Sequence, residues 1–337
     1  PDIRLVLARL LIRAGRSSEA VTQLQKTMLN IGPNPNVLYW LGEAYSIQGD
    51  NTATLKALER AGDLAPANPE VWKAKAKVYR QQGEAAAALE CLERATASNP
   101  KDLAALNEKG LVLMELGRVN DAMLCFEGCL RLRKREPIAL GNKGICLAML
   151  GKYFEAAVAL KNAIKLGTPS AVLYNNLGFA LSNLNSYPEA VKVYAEALEM
   201  APNDRETTAN LAAALSKCGR FDEALVYYDR LTESENIDPL LLNNVGNCLE
   251  ELGKKEKALA CYRQALEIDP ENRIIAFNYA TCQMSSGDME HALEFLRTHT
   301  AQDQGDRQAW GLLGEIYDNL QKYDLAVDCY NKALGLE

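Results

Sequence analysis

A period of 34 residues runs through the 337-residue chain without insertion or deletion, and it decides what the chain can fold into. With Pro1 as position 1, new units begin at Pro35, Pro69, Leu103, Pro137, Ala171, Arg205, Pro239, Arg273 and Arg307. The ten units are 1–34, 35–68, 69–102, 103–136, 137–170, 171–204, 205–238, 239–272, 273–306 and 307–337, the last three residues short. A unit of this size holds one supersecondary motif and cannot bury an apolar face alone, so neighbours must stack. The expectation is therefore a single array over 1–337.

Within the unit, each constrained position has a packing reason. Position 8 is only Gly or Ala, as where two helix backbones approach closely. Position 15 is Gly in eight units, Asn185 in one and Gln321 in one; Gly, and next best Asn, supplies the left-handed backbone that ends a helix. Position 20 is Ala in nine units and Thr54 in the other, and position 24 is always Leu, Phe or Tyr. Apolar residues at positions 4, 7, 8 and 11, and at 20, 24 and 27, mark two helix faces. Pro opens five units, where a helix tolerates its missing N–H. Each unit reads as helix A, a tight turn, helix B and a link.

This pattern resembles the tetratricopeptide repeat, complete in residues 37–68 and 241–272 and present in every unit. The resemblance implies an all-α fold, a right-handed superhelical solenoid of ten helix-turn-helix repeats with the A helices lining a concave groove. It also implies a chain that holds other proteins or peptides.

Composition excludes several other classes. Apolar residues make up 48% and charged residues 24%, as in a well-folded chain. No apolar run reaches the roughly 18 residues of a membrane span, so no membrane contact is expected. Nine cysteines form no CxxC pair, and seven of them fall in two sets spaced by multiples of 34. They read as packing residues, and the odd count favours a reducing, cytoplasmic compartment. Net charge is −7, with +2 over residues 1–102, +4 over 103–170 and −13 over 171–337. An acidic second half argues against wrapping nucleic acid. The two histidines, His291 and His299, lack metal-ligand spacing, and there is no P-loop or GxGxxG. No catalytic residue, metal or cofactor is expected.

Family geometry places positions 2, 5, 6, 9, 12 and 13 on the groove. Position 6 is Asn142, Asn176, Asn210, Asn244 and Asn278 in five consecutive units. Each carboxamide offers a donor and an acceptor, so it can match a peptide backbone whatever the side chains. With helices about 8–10 Å apart and a strand rising about 3.3 Å per residue, one rung would meet every third residue of an extended chain. This is similar to the asparagine ladder of O-GlcNAc transferases, which implies extended protein segments as ligands. Leu111, Ile145 and Phe179 at position 9, with Ile138 and Val172 at position 2, make the wall beside it apolar. Such a wall equally suits an amphipathic helix. Trp40 is a candidate aromatic anchor, while Trp72 and Trp310 read as core.

Lys75, Lys109 and Lys143 replace the usual Leu at position 7. Either their stems pack while the ammonium groups reach water, or they form a basic ladder for an acidic partner. The resemblance to the carboxylate clamp that grips chaperone tails fails, since Asn243, Asn247 and Asn278 continue into Gln308 and Leu312 with no cation. The ninth unit, with Gln283 and His299 at normally apolar or small positions, is expected to be a weak joint. The chain starts inside helix A and stops without a polar cap, which suggests the substrate-recognition arm of a larger enzyme such as a glycosyltransferase as an alternative function, and self-association through the uncapped end as another.

Overall fold

The computed structural model describes residues 3–167, 169–232 and 237–336, and every regular element among them is a helix. The chain forms two compact units, Pro1–Ala180 and Leu181–Glu337. The first holds α1 (Ile3–Arg13), α2 (Ser17–Ile31), α3 (Pro35–Ile47), α4 (Asn51–Leu64), α5 (Pro69–Gln81) and α6 (Ala85–Ser98). It continues with α7 (Leu103–Glu115), α8 (Val119–Leu132), α9 (Pro137–Met149), α10 (Tyr153–Leu166) and most of α11 (Ala171–Asn183). The second holds the end of α11, then α12 (Tyr187–Met200), α13 (Arg205–Lys217), α14 (Phe221–Thr232), α15 (Pro239–Glu251) and α16 (Lys255–Ile268). It closes with α17 (Arg273–Ser285), α18 (Met289–Gln302), α19 (Arg307–Asn319) and α20 (Tyr323–Leu334).

From α3 onward, each odd-numbered helix starts at the residue where the period places a new unit. The preceding residue supplies the reason. Asn34, Asn68, Asp102, Asp204, Asp238, Asn272 and Asp306 each accept a backbone N–H of the first turn through the side chain. That satisfies donors a helix start otherwise leaves unpaired.

The A helix ends where the chain turns left-handed at position 15. The eight glycines there have φ between 72° and 83°. Asn185 and Gln321 adopt the same region at 58° and 59°. An L side chain is penalised there, and Gln lacks the local hydrogen bonding that excuses Asn. Gln321→Gly is therefore expected to stabilise the α19–α20 hairpin by about 1 kcal/mol. Slower amide exchange in α20 would register it; unchanged or faster exchange would contradict it.

Helix B seats its position-20 residue against helix A. Ala20, Ala88, Ala122, Ala156, Ala190, Ala224, Ala258 and Ala292 are all fully buried. Position 24 lies over the small residue at position 8 of the same unit, as Phe126 does over Gly110.

The ninth unit is built differently from the weak joint expected. His299 is buried, its Nε2 lies in hydrogen-bond contact with Asp306 Oδ2 at 2.9 Å, and its ring stacks on Phe295. Its polar ring is thus satisfied rather than a packing defect. Gln283 keeps the defect, since its Oε1 is buried without a hydrogen-bond partner among the described residues.

All nine cysteines are free thiols. Burial pushes Cys129, Cys146 and Cys282 up to about 11, which suits packing and not nucleophilic chemistry.

Candidate functional site

Position 6 of an A helix meets position 5 of the repeat before it at two places, and this offset organises two of the asparagines. In the first unit, Asn142 Nδ2 donates to Asn107 Oδ1 at 2.8 Å. In the second, Asn278 Nδ2 donates to Asn243 Oδ1 at 2.9 Å, and Asn243 is buried. The same link thus recurs between position 6 of one repeat and position 5 of the repeat before it. It commits one N–H of the amide and leaves the carbonyl oxygen available.

Where position 5 is not Asn, the rung behaves otherwise. Gly141 precedes Asn176, whose Nδ2 turns back to Val172 O in its own helix at 2.8 Å. Ala209 precedes Asn244, which is exposed and has no hydrogen bond among the described residues. Asn210, which does follow an Asn at position 5, Asn175, is half-buried. The five asparagines therefore share a register but not one presentation.

In the first unit the surroundings are apolar. Ile138, Val172, Phe179 and Met149 are exposed, and Leu111 and Ile145 are half-buried. Ile138, Ile145, Val172 and Leu173 line a groove pocket of about 250 Å³ with Asn142 at its edge. Tyr153 meets Phe179 edge-on at 6.0 Å.

The charges nearer the N-terminus are paired within the chain. Lys73 reaches Glu70 and Asp102, both at 2.7 Å, and Arg80 reaches Glu108 and Glu115. Lys109 pairs with Glu93 at 3.7 Å and Lys143 with Glu127 at 2.8 Å, in each case on the preceding B helix. Lys75 lies over the Trp72 ring at 5.2 Å. Two of the three position-7 lysines thus find their acidic partner in the chain itself. Trp40 is half-buried, with the Arg9 guanidinium over its ring at 5.0 Å. Trp72 is buried and donates to Pro66 O, as a core indole does.

The second unit is polar where the first is apolar, and helix B contributes to it. Position 24 is Leu or Phe in the first five repeats but Tyr194, Tyr228 and Tyr262 in the next three. These rings are buried like the leucines they replace, and their hydroxyls meet position 12 of helix A. Tyr194 lies 3.5 Å from Ser182 Oγ, and Tyr228 bonds Ser216. Tyr262 OH donates toward Glu250 Oε2 at 3.0 Å and Asn247 Oδ1 at 2.7 Å. Burial pushes the Tyr194 and Tyr228 phenols up to about 12, and burial together with Glu250 raises Tyr262 further. Asn244, Asn247, Asn278, Glu250 and Glu251 line a pocket of about 600 Å³ here.

Folding also brings together a trio that sequence spacing did not indicate. Ligand atoms of His299, Asp303 and Asp306 lie within 4.8 Å of one another. All three are committed to the joint: Arg273 holds Asp303 at 2.6 and 2.9 Å, and Asp306 both bonds His299 and caps α19.

Profiles described as tetratricopeptide repeat match residues 5–69, 73–128, 171–204, 204–271, 249–316 and 308–337. The chain belongs to the tetratricopeptide repeat family. No curated protein matches it significantly. A tetratricopeptide repeat protein from Parabacteroides merdae is 17% identical, with 74% of this chain and 98% of that one aligned at a TM-score of 0.54. YrrB, described as a tetratricopeptide protein with an unusual peptide-binding site, is 23% identical over 56% of this chain and 96% of its own, at 0.51. At these identities the likeness carries the tetratricopeptide fold. No described helix is long and apolar enough to cross a membrane.

Asn107 and the Tyr262–Glu250 pair were not singled out from the sequence, and Asn243 entered only as part of a clamp pattern that fails. Their signals were there: Asn at position 5 followed 35 residues later by Asn, and the change from Leu to Tyr at position 24.

Proposed function

We propose that this protein is a non-catalytic scaffold that holds an extended segment of a partner protein along the A-helix faces. The observation that carries this reading is the recurrent amide link, Asn142 to Asn107 and Asn278 to Asn243, which holds one rung in place in each compact unit. A held amide presents its free carbonyl at no further entropic cost, and that favours backbone recognition over side-chain recognition. Ile138, Ile145, Val172 and Phe179 add apolar surface of the kind that marks partner sites.

The Asn142→Ala, Asn244→Ala, Asn278→Ala triple variant tests it. Affinity for a bound segment is expected to fall about tenfold, as loss of several modest hydrogen bonds implies, while the helical circular dichroism stays unchanged. Unaltered affinity in a folded variant would remove the ladder from the account. An amphipathic helical ligand would instead lose affinity when Ile138 and Val172 become serine.

A further inference from the structure

The two compact units differ in net charge. Residues 1–180 carry 23 basic and 17 acidic groups, and residues 181–337 carry 14 and 27. In the first, the groove-side cations Lys73 and Arg80 are already met by Asp102, Glu70, Glu108 and Glu115. In the second, the pocket of about 600 Å³ carries Glu250 and Glu251 with no ion pair to either among the described residues. Lys217, on the same wall, makes none either among those residues.

Three features make this pocket acceptor-lined and ready-made. Glu250 is held by the hydroxyl of the buried Tyr262, so one carboxylate oxygen is anchored and the other is open. Asn278 spends an N–H on Asn243 and on Asn247, which leaves its carbonyl oxygen for a ligand. Glu251 is exposed at the rim. Acceptors set in place, unpaired by the chain's own cations, fit a ligand that brings donors and positive charge.

We propose that the pocket between α13, α15 and α17 takes a lysine or arginine side chain of the bound segment, so that this part of the groove selects basic, extended peptide. The selection rests on the groove reading above. Glu250 is its specificity-determining residue, and Tyr262 is a positioning residue that acts through it.

The test uses the full chain and three labelled, unstructured Gly/Ser peptides of equal length, carrying interspersed Lys, Gln or Glu, with binding followed by fluorescence anisotropy. The Lys peptide is expected to bind about tenfold more tightly than the Gln peptide, and the Glu peptide more weakly than both. Glu250→Gln with Glu251→Gln is expected to abolish that preference, with Lys-peptide affinity falling about tenfold. The charge-matched pair Glu256→Gln with Glu267→Gln, exposed on α16, should preserve it. Tyr262→Phe, which installs the ring the chain already uses at Phe126, should lower the Lys preference. Equal binding of Lys and Gln peptides would overturn the selection while leaving the groove reading intact. Loss of preference in the Glu256/Glu267 variant would overturn it in favour of the general negative field. Failure of every peptide to bind would overturn both.

Discussion

Gly110→Val is expected to unlock the α7–α8 hairpin at a cost of about 3 kcal/mol, the upper end of what overpacking a filled core does. A Cβ on Gly110 would lie 2.5, 2.6 and 3.1 Å from three carbons of the Phe126 ring. Phe126 is fully buried among Ala76, Ala88, Val112 and Ala122, so the ring has nowhere to move. In the third repeat the same contact is made by Ala76 and Leu92, a smaller pair across the same gap. That comparison supplies a control: Gly110→Ala alone should cost about 1–2 kcal/mol, and Phe126→Leu added to it should recover part of the loss. Because repeat arrays open segment by segment, global melting is a poor readout. Amide exchange in α7 and α8 should accelerate about a hundredfold in the valine variant. Exchange within a few-fold of wild type would show that helix A and helix B are not in the tight contact described.

Asp306→Ala is expected to cost about 3 kcal/mol at the last joint, because one carboxylate serves two purposes there. Oδ1 accepts from the backbone N–H groups of Gln308 and Ala309, both at 3.1 Å, which caps α19. Loss of such a cap costs about 1 kcal/mol. Oδ2 bonds His299, and both residues are buried, so the variant leaves an unpaired polar ring in the core at about 1–3 kcal/mol more. Faster amide exchange confined to α18–α20 is the expected signature. The cap and the buried pair separate in Asp306→Ser, which can keep the cap and lose the histidine. Wild-type exchange in the alanine variant would mean that His299 is not held by this residue.

Much of this was legible in the sequence, for a plain reason. Residues constrained by backbone geometry repeat identically: Gly110 and Gly246 at close approaches, Gly117 and Gly253 at left-handed turns, Ala122 and Ala258 against the facing helix. A 34-residue register displays them side by side. What escaped is what depends on a neighbour one repeat away. Asn142 and Asn176 look alike at position 6, yet Asn107 holds the first and Gly141 leaves the second to its own helix. Lys109 and Lys143 read as free cations until Glu93 and Glu127 on the preceding B helix come beside them. His299 read as a misfit for a different reason: its partner, Asp306, lies at the far end of the link, at the last position of the same unit.

The central claim is that a partner segment lies on the A-helix faces. Photo-crosslinking of a peptide selected from a random unstructured library on the intact protein tests it most directly. A photoreactive residue is placed at Asn244 on helix A in one variant and at Val226, 55% exposed on helix B, in another. The peptide should crosslink at position 244 and not at 226. Crosslinking at 226 alone, or equally at both, would contradict the account.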